Sequence, residues 1–190
     1  TFTWGDVQFF LLDERWDRSP QRRTTGERTI LGDEQLQWLI DALATSRAPF
    51  KMIAVGGQVL NPAAVYENWA TYPEARERLL EAIAAERIEG VMFLTGDRHH
   101  TELTRLDRPG AYPLHDLTVS PLTAGISSMR DEPNTLRVEG TVVQAHNFAT
   151  LDVSGPRTDR SMLVTIRDAD GAPLWTRTIR ASELRYPRER

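Results

Sequence analysis

Apolar residues follow two rhythms along the 190-residue chain. Short unbroken runs mark strands buried on both faces: Phe9-Phe10-Leu11-Leu12, Met52-Ile53-Ala54-Val55 and Val91-Met92-Phe93-Leu94. Between them Leu36, Leu39, Ile40 and Leu43 recur at helical spacing, and later Leu79, Leu80 and Ile83 do the same. These patterns predict helices over 33–44 and 73–87. Acidic residues open the first, where they favour the helix dipole, and Pro73-Glu74 opens the second. Residues 2–4 and 7–12 read as a hairpin about Gly5-Asp6. Further strands are predicted at 114–120 and 149–153, and 162–167 with 174–179 read as an antiparallel hairpin that completes a sheet. Residues 61–72 read as a loop whose aromatics line a pocket wall or, the commoner case, cover the core, 127–134 as a surface loop, and 185–190 as a charged, mobile end.

Helix and strand alternate from 33 to 94, which argues an α/β layered fold with parallel pairing. Such folds place their chemistry in a crevice at the carboxyl ends of the strands. Three groups fall there: Asp13 and Arg15, Gln58, and the run Gly96-Asp97-Arg98-His99-His100. In extended backbone Asp97 and His99 face one side and Arg98 and His100 the other. A carboxylate and an imidazole on one side suit zinc, iron or manganese, although a Gly-Asp turn followed by two surface histidines has the same pattern. Arg15 stands one step past a strand end, where an arginine can clamp an anionic group. Gln58 either enters the site or bonds loop backbone. His146 reads as a turn residue and His115 as a strand residue with a local hydrogen bond, while Asn147 either approaches the site or caps a turn.

Two motifs are excluded. Gly56-Gly57 lacks the Gly-Lys-Ser/Thr ending of a phosphate loop, and Ser120 lacks the Gly-x-Ser-x-Gly elbow of a serine hydrolase. The net charge of -4 indicates no general nucleic-acid-binding surface, and no apolar run has the length of a membrane span. The absence of cysteine excludes disulfides and thiolate ligands. Basic residues are nearly all arginine, and Lys51 is the one lysine. The chain begins at Thr1 inside a strand, without a signal peptide, and reads as the C-terminal part of a longer protein.

Taken in order, Leu11-Leu12-Asp13-x-Arg15, Ile30-Leu31-Gly32-x-x-Gln35-x-x-Trp38-Leu39, Tyr72-Pro73-x-x-Arg76-x-Arg78-Leu79, Phe93-Leu94-Thr95-Gly96-Asp97-Arg98-His99, Tyr112-Pro113-Leu114-x-Asp116-Leu117-Thr118 and Asn147-Phe148 resemble the C-terminal half of PhoD-like alkaline phosphatases and phosphodiesterases. These are members of the calcineurin-like metallophosphoesterase superfamily. The resemblance implies part of a four-layer αββα sandwich, with residues 1–190 forming the C-terminal part of a single metallophosphatase domain and a terminal hairpin at about 160–180. It implies two or more divalent or trivalent metal ions (Ca, Fe, Zn or Mn) and a small phosphate-ester substrate.

Gly96-Asp97-Arg98-His99 matches the family's Gly-Asp-x-His, so Asp97 and His99 would be carried over as catalytic metal ligands. Arg15, with Gln58 and Asn147, would contact substrate. Glu14 stands where threonine is usual, and its side chain is expected to face away from the site. The family's earlier motifs, with the first metal-binding aspartates, have no match. The missing N-terminal segment is thus an expected partner, and the isolated fragment is expected to be inactive. The resemblance further implies a periplasmic or secreted location. Two other readings are a non-catalytic binding module of the same fold and a metal-free hydrolase with His99 or His100 as general base.

Overall fold

The computed structural model describes residues 1–128 and 132–187. The predicted loop over 127–134 and the tail over 185–190 therefore lie partly outside the described residues. Among the described residues nine strands and two α-helices follow in order: β1 (Phe2–Trp4), β2 (Val7–Leu11), α1 (Gly32–Thr45), β3 (Phe50–Ala54), α2 (Pro73–Ala85), β4 (Val91–Thr95), β5 (Glu102–Leu106), β6 (Leu114–Thr118), β7 (Asn147–Ser154), β8 (Ser161–Asp168) and β9 (Pro173–Arg180).

Six strands form one sheet in the order β1-β2-β3-β4-β6-β5, and β7-β8-β9 form a second. The pairs β2/β3, β3/β4 and β4/β6 are parallel, whereas β1 and β5 close the two edges antiparallel. The second sheet is antiparallel throughout. The predicted hairpin is thus β8/β9, and it joins β7 rather than the larger sheet.

The apolar runs explain this placement. Phe50, Met52, Ile53, Val91, Met92 and Phe93 are all fully buried, so β3 and β4 are covered on both faces. Leu36, Leu39 and Leu43 of α1 and Leu79 and Ile83 of α2 share one buried cluster with them. Met162, Val164 and Ile166 of β8 and Ile179 of β9 belong to the same cluster. Helices, large sheet and small sheet are therefore three stacked layers around a common core.

β5 was not predicted. Its sequence, Glu-Leu-Thr-Arg-Leu, looks like a half-exposed polar segment, yet Glu102 and Thr104 are fully buried. Asn134 Nδ2 donates to both, at 2.9 Å to each, and Arg137 Nε donates to Glu102. Those partners lie some thirty residues downstream, beyond the reach of any local pattern.

Candidate active site

The parallel strands β2, β3 and β4 end at one edge, and their following loops form an open crevice of about 800 Å³. It is lined by the 11–15 segment, Val55, Gly56, Gly96 and Asp97. The loops are stitched together by backbone: Gly96 N–H donates to Gly56 O at 2.9 Å, Val55 N–H to Leu94 O at 3.0 Å, and Leu12 N–H to Ala54 O at 3.0 Å.

After β4 the chain does not stay extended. Asp97 and His99 sit in the left-handed region, with φ of 64° and 56°. A non-glycine residue there costs about 1–2 kcal/mol, so two in three residues mark a loop held by its surroundings. The zigzag exposes Asp97 and His99 and buries Arg98 and His100. The sidedness expected for extended backbone is present, but two left-handed corners produce it.

What holds the loop is polar and buried. Arg98 is 5% exposed and forms an ion pair with Glu132 through Nη2. Its Nη1 donates to Gln58 Oε1 at 2.6 Å. Gln58 Nε2 donates to Glu102 Oε1 at 2.7 Å and to Thr118 Oγ1 at 2.9 Å, while Asn61 Nδ2 donates to Gln58 Oε1 at 2.9 Å and to Glu132 Oε1 at 2.7 Å. His99 N–H donates to Ser120 Oγ at 3.1 Å, and Asn147 Nδ2 donates to Ser120 O at 3.1 Å. His100 Nδ1 lies 3.0 Å from Arg98 O, which can only accept, so that nitrogen carries a proton.

Gln58 and Asn147 therefore stand beneath the site. Both are buried, and their amides are engaged by protein partners. Arg15 and Asp97 share the crevice, and His99 is exposed on the same loop as Asp97. Asp13 Oδ1 accepts the N–H groups of Arg15 at 2.7 Å and Trp16 at 3.1 Å, and these bonds hold its carboxyl below the usual range. The Arg15 guanidinium is engaged by Glu67 at 2.6 Å, which raises the arginine and lowers the glutamate. His146 bonds Ala124 O at 3.0 Å from an exposed position, and His115 lies buried in β6.

Two residues were missed, Glu14 and Glu67. Glu14 does not face away: it is 7% exposed, lines the crevice, and its Oε2 accepts Gly57 N–H at 3.1 Å. The Gly56-Gly57 pair was its signal, because a Cβ on Gly56 would overlap Glu14 Oε1. Glu67 and Tyr66 were read as part of a covering loop. Tyr66 has φ of 52°, and its exposed ring lies 5.0 Å from the Arg98 guanidinium.

As donors, the exposed carboxylate of Asp97 and the exposed imidazole of His99 suit a metal ion. Among the described residues they are not joined by a third donor. The group whose donor atoms lie within 4.8 Å of one another is His100, Glu102 and Glu132. Its carboxylate oxygens are already committed: Glu102 Oε1 accepts from Gln58 and Asn134, and Glu132 Oε1 from Asn61 and Arg98. Two arginines also neutralise its two carboxylates. Among the described residues that group carries a dense ion-pair and hydrogen-bond network, whereas Asp97 and His99 are exposed.

The family described as PhoD-like phosphatase matches residues 1–155. Alkaline phosphatase D of Bacillus subtilis (strain 168) is 32% identical over 118 residues, covering 52% of this chain and 20% of that protein. A solved structure titled "Structure of PhoD" superposes with a TM-score of 0.69 at 19% identity, covering 94% of this chain and 43% of that one. At that identity the likeness shows the fold. The chain spans a fifth of the curated relative's length and less than half of the solved one.

Proposed function

The chain belongs to the PhoD-like phosphatase family, and from that premise we propose that its protein hydrolyses phosphate esters with bound metal ions, this chain forming one wall of the active centre. The observation that carries the reading is the pair of left-handed corners that present Asp97 and His99 to solvent at the ends of parallel strands. Strain retained at exposed ionisable residues is a mark of function.

In this reading Asp97 and His99 hold metal, and the other ligands come from the part of the protein that precedes Thr1. Two or more ions of Ca, Fe, Zn or Mn fit the donor types. A bound metal supplies a water of lowered pKa and positive charge for the phosphoryl oxygens. Arg15 turns its guanidinium from Glu67 to the equatorial oxygens of the ester. Arg98, Gln58 and Asn147 fix the loop from below. The substrate is a small phosphate ester, and residues 1–190 are the C-terminal part of one domain that is inactive without its N-terminal partner. By the same resemblance the protein acts in the periplasm or outside the cell.

Asp97→Ala and His99→Ala in the full-length protein are expected to lower kcat by at least a hundredfold, with metal content reduced by elemental analysis. Unchanged metal content and activity in both variants would exclude the assignment. Wild-type activity that survives exhaustive chelation would favour His99 acting as a base without metal.

A further inference from the structure

A second polar cavity, of about 360 Å³, lies at the opposite end of the large sheet, where the strands begin. The β1–β2 turn, the α1–β3 and α2–β4 connections, the β7–β8 turn and the short helical turn after β9 all meet there. Its charged lining is Arg47, Lys51, Arg157 and Arg185 against Asp6 and Glu89. Asp6 pairs with Arg160 at 2.9 Å, whereas Glu89 Oε1 accepts Tyr186 N–H at 3.0 Å and keeps its charge, so the lining carries a clear excess of positive charge. Among the described residues, none of the four lining cations has a carboxylate oxygen within 4.0 Å.

Lys51 makes this more than a patch of surface arginines. It is the single lysine of a chain with -4 net charge, and it is 6% exposed. Its Nζ donates to Glu89 O at 2.7 Å and Ala48 O at 3.2 Å. An ammonium carries three N–H groups, so one remains without a protein acceptor among the described residues. A buried cation normally has a counter-ion. Burial lowers the Lys51 pKa, and Glu89 opposes that only through its more distant charge.

We propose that this cavity is a binding site for a small phosphate-type oxyanion, seated on the Lys51 ammonium and flanked by Arg47, Arg157 and Arg185. Three guanidinium groups and one ammonium match a tetrahedral anion with more than one charge. The site is remote from the Asp97 loop and does not rest on the catalytic reading. Its occupant is either inorganic phosphate or a phosphoryl group on a longer anion, and pyrophosphate stands for the latter.

The test uses the full-length protein at constant ionic strength, with chloride as the control anion. Acylation of Lys51 by an N-hydroxysuccinimide ester is followed by peptide mass mapping. Phosphate or pyrophosphate is expected to slow labelling at least fivefold and saturably, and the anion effective at the lower concentration identifies the class. Arg157→Gln with Arg185→Gln is expected to abolish that protection, each rate being taken relative to the same variant's own rate in chloride. Equal rates in phosphate, pyrophosphate and chloride would overturn the proposal. Should Lys51 resist the reagent, equilibrium dialysis of phosphate decides. Lys51→Met is expected to bind one phosphate fewer per chain than wild type, and an equal stoichiometry would sink the idea.

Discussion

At the scale of single residues the site is governed by close contacts that have no local signature. Glu14 reaches the crevice only because Gly56 has no Cβ. Gly56→Ala is therefore expected to displace the Glu14 carboxylate and to destabilise the protein by about 0.5–1.5 kcal/mol, the worth of the hydrogen bond to Gly57, and Glu14→Ala in the same chain is expected to leave little further loss from the Gly56 change. A denaturant series on the two single variants and the double variant measures this coupling, and additive losses would disprove the contact. Glu67 is the second case. Its ion pair with Arg15 is exposed, with side chains 58% and 52% accessible, so it is weak. Glu67→Gln releases the guanidinium and is expected to lower KM for phosphate esters up to about fivefold, the range of such pairs, with kcat within about twofold. A raised KM would show that Glu67 helps substrate binding instead. Neither glutamate was legible in the sequence as a crevice residue, whereas the place of Arg15 and Asp97 in the crevice was, because each stands a few residues past an apolar run. Gln58 was found for its position at a strand end, but that position does not reveal that its amide is buried.

At the scale of elements the strongly apolar strands were readable and the polar ones were not. β3 and β4 carry apolar runs because both faces are covered, and α1 and α2 show one stripe each, whereas the apolar run of β2 misleads, since Phe9 is half-buried and Leu11 exposed. β5 was invisible because Glu102 is stabilised by Arg137, Asn134 and Gln58, all distant in sequence. The loop after β4 depends on the same network, which leads to two opposed expectations. Arg98→Met leaves Glu132 buried without its cation and is expected to cost about 3–5 kcal/mol. His99→Gly relaxes a left-handed corner and is expected to cost nothing and to stabilise by up to about 1 kcal/mol, while removing a metal donor. Thermal or chemical unfolding of both variants, read beside metal content, separates a residue that supports the loop from one the loop presents. A destabilised His99→Gly would mean that the imidazole itself holds the fold.

At the scale of the whole molecule the core contains ionisable groups whose titration ties stability to acid. His115 lies 8% exposed in β6, and burial, with Arg105 nearby, lowers it from 6.5 to about 4. Folding therefore favours its neutral form. The stability this represents is complete above pH 6.5, falls as the unfolded chain takes up a proton the folded one refuses, and is gone near pH 4. The difference is on the order of 3 kcal/mol. Glu102 acts lower on the scale. Burial pushes its carboxyl up, but His100, Arg137 and Asn134 outweigh this and hold it at about 2 against an ordinary 4.5. Its contribution is present above 4.5 and is lost between 4.5 and 2. The two windows overlap between pH 4.5 and 4, so stability is expected to fall in two stages, with His115 contributing to the first and Glu102 to the second. His115→Leu removes that group without adding another. In urea titrations of the full-length protein, wild type is expected to lose on the order of 2–3 kcal/mol more than His115→Leu between pH 7 and pH 4.5. Loss of metal at low pH affects both proteins alike and cancels in the difference. Parallel pH profiles for the two would show that His115 is not held neutral by the core.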